Sequence, residues 1–356
     1  MRVLCITPYP HLSADTRYRI EQYLPGLAQA NIHAVVRPFM SEQLFSIYAQ
    51  PGRPLTKLRE IAKAMAQRLW DVIKAGDYDI IFLHKEAFMF GPPWLERALR
   101  ARAGALVLDM DDAFWSHPPQ LRQIGKILRD PRKFDKIIAF SDHIFAGNAL
   151  IAEYVRPINP NVTLLPTVID TVRYQPRLGA NDSRVTIGWV GRWSSAFYLD
   201  SLIDVFREIC TRHPQVQIKL IGAGPVNWPG VRLISQPWRL ETELDDIRSF
   251  SIGLMPLVDD GYARYKCGFK LLQYLGVGIP GVASPVGVNT EIIQDGVNGL
   301  LAASSSEWFD RLNLLVEDVN LRAQLGARGR ATVEKHYSIQ KTLPILIQTL
   351  RKILNF

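Results

Sequence analysis

Val185-Thr186-Ile187-Gly188-Trp189-Val190-Gly191-Arg192-Trp193-Ser194-Ser195 is an apolar run that stops at a glycine and a cation before the sequence turns polar. The run predicts a buried strand, Gly191 a tight turn, and the periodicity resuming at about Leu199 a helix. A strand, a glycine turn and a helix bring unpaired N–H groups and the positive end of a helix dipole together, and Arg192 adds a bidentate cation. Phosphate binds well to such an arrangement. Read alone, the stretch fits equally a tight turn carrying a solvated arginine.

The same alternation runs outward in both directions. Before this point, strands are predicted at 2–7, 33–38, 80–83, 105–108, 136–140 and 162–165, with helices at 17–29 and 57–74. After it, strands at 217–221, 231–234, 252–255 and 281–283 alternate with helices near 199–212, 240–250 and 268–275, and only helices follow Ser304. Strand–helix alternation predicts parallel βαβ units. Pro166 to Asp170, Pro176 and the polar 179–183 interrupt the pattern and mark an interdomain connection. The expected fold class is therefore α/β, with two doubly wound Rossmann-like domains facing a central cleft where their strand carboxyl ends meet. The expected domains are 1–168 and 169–336, with a C-terminal helix at 337–356 packing back on the first.

Bulk properties agree with a packed two-domain protein. The 356 residues are 47% hydrophobic and 21% charged, in the globular range. The start runs directly into a strand, and no apolar run is long enough to cross a bilayer, so a cytosolic location is expected. Cys5, Cys210 and Cys267 are scattered and read as buried thiols. The net charge of +8 includes two local clusters, six basic residues against two acidic in each of 53–74 and 119–136. Nucleic acid would suit the charge, but no zinc-finger, RNP or helix-turn-helix pattern accompanies it. In 57–74, Leu58, Ile61, Met65, Leu69 and Val72 form one apolar stripe of an amphipathic helix. That stripe can pack on the sheet or, with Arg122, Lys126, Arg129, Arg132, Lys133 and Lys136, serve an anionic membrane surface.

The second polar constellation lies in Tyr265-Lys266-Cys267-Gly268-Phe269-Lys270-Leu271-Leu272-Gln273-Tyr274. On a helix, Lys266, Lys270 and Gln273 would share one face. Gly278-Ile279-Pro280 and Glu291-Ile292-Ile293-Gln294-Asp295-Gly296-Val297-Asn298-Gly299-Leu300-Leu301 follow. Here the chain resembles the retaining family 4 glycosyltransferases of GT-B fold, whose "KLLEYLAxGxPVVAS…G…E…DGxNGLL" signature is similar to residues 255–302. Gly191-Arg192 resembles that family's phosphate-gripping pair, and Leu220-Ile221-Gly222-Ala223-Gly224-Pro225 its "IGxGP" strand end. The resemblance implies transfer of a sugar from a nucleoside-diphosphate sugar to an acceptor hydroxyl with retention, in bacterial surface-glycan or related synthesis. Donor contacts are expected from Gly191, Arg192, Ser194, Gly222, Trp238, Lys266, Lys270, Gln273 and Glu291; the Trp238-Arg239 pair after the strand at 231–234 reads either as a stacking partner for the base or as an exposed packing tryptophan. Where the family has two glutamates eight positions apart, Tyr265 and Gln273 stand here. Retention is implied by the resemblance alone, because no residue is an assignable nucleophile.

Asp109-Met110-Asp111 spells the D-x-D by which other glycosyltransferases hold a metal. The basic strand–helix units of the second half make a metal unnecessary for charge neutralisation, so no metal or other cofactor is expected. Asp111 and Asp112, following a strand, are read as acceptor or sugar-hydroxyl ligands, with an N-cap as the alternative. The strand-end histidines His11 and His84 are read as structural donors. Catalysis is expected to be electrostatic, with Arg192 and Lys270 stabilising the departing diphosphate and Asp111 and Asp112 orienting the sugar or the acceptor. The acceptor class stays open between a glycan, a lipid-linked sugar and a small molecule. Two rivals remain: a sugar-nucleotide 2-epimerase, and a non-catalytic sugar-nucleotide-binding subunit of an envelope assembly complex.

Overall fold

The computed structural model describes residues 1–116, 130, 132–176 and 184–355. The chain divides into two compact units, Met1–Thr167 with Ile339–Phe356, and Val168–Ser338. Within the first, the helix Ile339–Ile353 sets Leu343 against Gly26 and brings Thr342 Oγ1 to 2.8 Å from the Tyr23 hydroxyl.

The first unit is built on six parallel strands, β1 (Arg2–Thr7), β2 (His33–Pro38), β3 (Ile80–His84), β4 (Ala105–Met110), β5 (His143–Ala146) and β6 (Val162–Leu164). Their order is β2-β1-β3-β4-β5-β6, with Val3 opposite both Ala34 and Ile80. Every residue of β3 and β4 is buried, as continuous apolar runs in a sheet covered on both faces require. The order reverses between β1 and β3, and such a switch opens a crevice at the strand carboxyl ends.

The second unit repeats the plan with β7 (Val185–Val190), β8 (Val216–Ile221), β9 (Leu233–Gln236), β10 (Ile252–Met255), β11 (Gly281–Ala283) and β12 (Leu300–Leu301). The order β12-β11-β10-β7-β8-β9 places its switch between β7 and β10. Ile187, Trp189, Phe206, Leu220, Leu254 and Trp308 fill one core cluster. At the switch, β7 and β10 pair only at Ile187–Ile252 and Gly188–Gly253. Beyond that point the buried Tyr274 hydroxyl accepts from Val190 N at 3.1 Å and donates to Leu254 O at 3.3 Å. The phenol thus satisfies backbone groups that the diverging strands leave unpaired.

Several local expectations are corrected. Residues 136–140 are not a strand but the end of a helix, Lys133–Phe140. Phe134, Ile137 and Ile138 recur at helical spacing and are buried, which outweighs the short apolar run. The helix expected at 17–29 is broken into Ala14–Arg19, a 3₁₀ turn Glu21–Tyr23, and Leu24–Gln29, the last with Pro25 in its first turn. After β7 the chain enters a 3₁₀ run, Trp193–Leu202, before the α-helix Ile203–Arg212. The polar connection 179–183 and the basic residues Arg122, Lys126 and Arg129 lie outside the described residues. All three cysteines are buried free thiols, and burial pushes Cys5 up to about 12. Among the described residues no helix is long and apolar enough to cross a membrane.

Candidate functional site

In the second unit the carboxyl ends of β7, β8 and β9 and the helix Phe269–Gly276 converge on two glycines. A Cβ at Gly191 would lie 2.6 Å from the Trp189 ring and 2.8 Å from Lys270 Cε. A Cβ at Gly222, whose φ is +79°, would lie 2.3 Å from Gly191 O and 3.1 Å from Trp238 Cβ. Glycine is required at Gly222, and a side chain at Gly191 would have to displace its neighbours, so backbone, lysine and tryptophan close up around the end of β7. Lys270 Nζ stands 5.5 Å from the Trp189 ring centroid, a cation–π contact.

The surroundings of this cluster vary in exposure. Arg192 and Ser194 are exposed at its mouth, and Ser195 N and Oγ both donate to Arg192 O. Trp238 is half-buried, its indole N–H donating to Glu243 at 3.1 Å. Glu291 is exposed in the short helix Asn289–Ile292. A lysine, an arginine and backbone turns at strand carboxyl ends form a basic, glycine-lined surface suited to an anionic ligand.

Two expectations for this region change. Lys266 does not share a helical face with Lys270: Gly268, at φ +63°, is the N-cap and the helix begins at Phe269. Lys266 is extended ahead of it, with its ammonium 4.5 Å from the Tyr262 ring centroid. Gln273 lies on the buried face of that helix, 2% exposed, and its amide donates to the Tyr174 hydroxyl at 3.1 Å. It is tied into the protein interior rather than offered to a ligand. A polar cavity of about 360 Å³ beside β7, β8 and β9 includes Lys219, which donates to Asp246 and Ser249 at 3.0 Å each.

The first unit holds a buried charge cluster at its own switch point. Asp109, at the end of β4, receives Arg19 on both carboxylate oxygens and His84 Nδ1 at 2.7 Å. Burial opposes ionisation of Asp109, but Arg19 and His84 outweigh it and pull its pKa down to about 2. With both oxygens occupied, Asp109 serves the fold and is poorly placed to act as half of a D-x-D metal clamp. Among the described residues no group of three His, Cys, Asp or Glu is arranged to hold a metal ion. Asp111 sits 3.7 Å from Lys85 Nζ, and burial raises its pKa despite that lysine. Asp112 accepts from the backbone of Ala113 at 3.0 Å. His11 pairs with Glu21.

Two residues here, Lys85 and Arg19, were not singled out by sequence, and His84 was read only as a structural donor. Lys85 follows β3 at φ +65°, donates to Asp15 at 2.7 Å, and stands 4.9 Å from the Phe114 ring centroid. Burial works against its charge, but Asp111 and Asp15 more than offset that and raise its pKa. A lysine in the left-handed region is uncommon and clusters at functional positions. His84 Nε2 is buried with no hydrogen-bond partner among the described residues. Arg19 is 1% exposed and lies in a stretch that the sequence marks only as helical.

Residues 184–318 match the family described as glycosyl transferases group 1. The matched stretch contains both glycines, Arg192, Trp238 and Lys270. Solved structures extend the likeness over the whole chain. HepE from Anabaena, in complex with UDP and glucose, has a TM-score of 0.71 at 16% identity, covering 99% of this chain and 100% of that one. Sucrose-phosphate synthase from Thermosynechococcus elongatus has a TM-score of 0.74 at 14% identity, covering 100% of both. A glycosyltransferase from Rickettsia africae has a TM-score of 0.70 at 10% identity, covering 99% and 98%. Identities this low establish the fold, which is GT-B. No curated protein matches the chain.

Proposed function

We propose that this protein is a nucleotide-sugar-dependent glycosyltransferase whose group 1 domain holds the donor diphosphate. The observation that carries the reading is Lys270 packed against Gly191, the residue that precedes Arg192, at the β7–β10 switch of that domain. Transfer builds negative charge on the departing diphosphate, and preorganised cations act on charge that appears only in the transition state. Support also comes from HepE, similar over its full length and solved with UDP-glucose. In this reading Ser194 and Gly222 line the diphosphate, Trp238 faces the base, and Lys266 and Glu291 border the sugar. The first unit takes the acceptor, with Asp111 and Asp112 on acceptor hydroxyls, and the reaction needs no metal. A hexosyl donor, retention at the anomeric carbon and a role in surface-glycan synthesis belong to the same reading and rest on the resemblance.

The test is incubation of the purified protein with a panel of nucleoside-diphosphate sugars. Slow release of free sugar and nucleoside diphosphate from one donor supports a transferase working on water in place of its acceptor. Donor binding without any turnover points to a binding subunit, and conversion to an epimeric sugar points to an epimerase.

A further inference from the structure

The helix Pro54–Lys74 has its amphipathicity reversed. Its inward face carries Glu60, Ala64, Arg68, Asp71 and Val72. Arg68 is 1% exposed and fastens the helix to the first sheet, donating to Ala87 O at 3.1 Å, Asp71 at 3.0 Å and the carbonyls of Thr7 and Arg37 at 3.3 Å. Of the apolar residues expected to pack on the sheet, only Val72 is buried and Met65 partly so. The others face outward.

Leu55, Leu58, Ala62, Ala66, Leu69 and Ile73 recur at three and four residues and form one exposed stripe. Leu55 is 81%, Leu58 65% and Ile73 56% exposed, with Trp70 beside them at 54%. An ordinary surface helix turns such a stripe to the core and its charges to water. Here the two acids are buried, and every charged side chain on the outer side, Arg53, Lys57, Arg59, Lys63 and Lys74, is basic. Lys74 Nζ lies 5.5 Å from the Trp70 ring centroid.

We propose that this helix docks on an anionic lipid surface, with the leucine stripe and Trp70 entering the headgroup boundary and the basic residues meeting lipid phosphates. An apolar stripe edged by cations and a tryptophan is what an interfacial helix needs. Charge decides between a bilayer and a second copy of the chain. A two-fold contact would set these basic residues against their own copies, and the acids beside them, Glu60 at 3.0 Å from Lys63 and 3.5 Å from Arg59 and Asp77 at 3.7 Å from Lys74, are outnumbered and already engaged. An anionic leaflet supplies counter-charge for the surplus. This inference stands apart from the transferase reading, since it concerns where the first unit resides rather than what is transferred.

The experiment is co-sedimentation of the full-length protein with phosphatidylcholine vesicles, with and without phosphatidylglycerol, at low and raised salt. Neither donor nor acceptor is present, so its outcome is independent of the transferase reading. Wild type is expected in the pellet with phosphatidylglycerol at low salt, and its recovery there should fall as salt rises. L58E/L69E should partition at least about tenfold more weakly, the scale of losing two leucine side chains from an apolar phase. Its melting temperature should match wild type, because both positions are exposed. L55Q/I73Q is the second variant should the first lose its fold. Wild type left in the supernatant with anionic vesicles at low salt overturns the proposal. So does equal partition of wild type and folded variants. A concentration-dependent dimer in lipid-free solution that L58E/L69E abolishes would assign the stripe to a second copy and also overturn it.

Discussion

Lys270 Cε occupies the space where a side chain at residue 191 would begin, 2.8 Å from the Cβ position that Gly191 lacks. The relationship makes a prediction about both residues. Gly191→Ala should displace Lys270 and the Trp189 ring, costing about 1–3 kcal/mol as an overpacked site. Donor affinity should fall as well, because the cation moves. Thermal melting and donor titration check this, and an alanine variant with wild-type melting and binding would mean the lysine is not held against the turn.

The Arg19–Asp109 pair predicts acid sensitivity in the first unit. Asp109 has its pKa depressed to about 2 in the folded protein, against an ordinary aspartate near 4. A depressed carboxylate contributes stability that is present above the unfolded value and lost as pH falls through the folded one. The contribution, on the order of 2 kcal/mol, should therefore disappear between about pH 4 and pH 2. Asp109→Asn leaves Arg19 buried without its counter-ion and should cost about 3–5 kcal/mol at neutral pH. Urea unfolding of both proteins across that range gives the answer. Parallel pH profiles for wild type and variant would refute it.

Asp111 faces Lys85, and the reading gives it an acceptor hydroxyl. Asp111→Asn should raise the acceptor KM or lower kcat/KM by roughly tenfold, the scale of one hydrogen bond to a charged group. Slow hydrolysis of donor alone should be unchanged. A variant that loses hydrolysis and transfer equally would move Asp111 from acceptor binding to the donor side.

Transfer should proceed at full rate in excess EDTA, because Lys270 and Arg192 are assigned the charge that a metal would otherwise carry. Loss of activity, restored by magnesium or manganese, would overturn that assignment.

Much of this was legible in the sequence, and the exceptions share a cause. Alternating strand and helix patterns on either side of the break near Pro166 announced two parallel sheets, and Gly191-Arg192 marked the strand end that the fold puts at its switch point. What periodicity cannot give is phase. Gly268 in the left-handed region starts its helix at Phe269, leaving Lys266 outside and turning Gln273 inward to Tyr174. The spacing of Leu58 and Leu69 likewise foretold an amphipathic helix without saying which side faces the sheet. Only the buried hydrogen bonds of Arg68, made to carbonyls distant in sequence, fix that choice. Lys85 escaped notice because a left-handed backbone at a strand end leaves no mark on residue type.

The central claim is that Lys270 and Arg192 stabilise the departing diphosphate. Its most direct test is the turnover of Lys270→Ala and Arg192→Ala on the donor found by panel screening, alongside their melting temperatures. Loss of one such donor typically costs about 2.7–4 kcal/mol, so each variant should fall by roughly a hundredfold or more in kcat. Lys270→Ala is expected to melt close to wild type. Wild-type kcat in both folded variants would contradict the account.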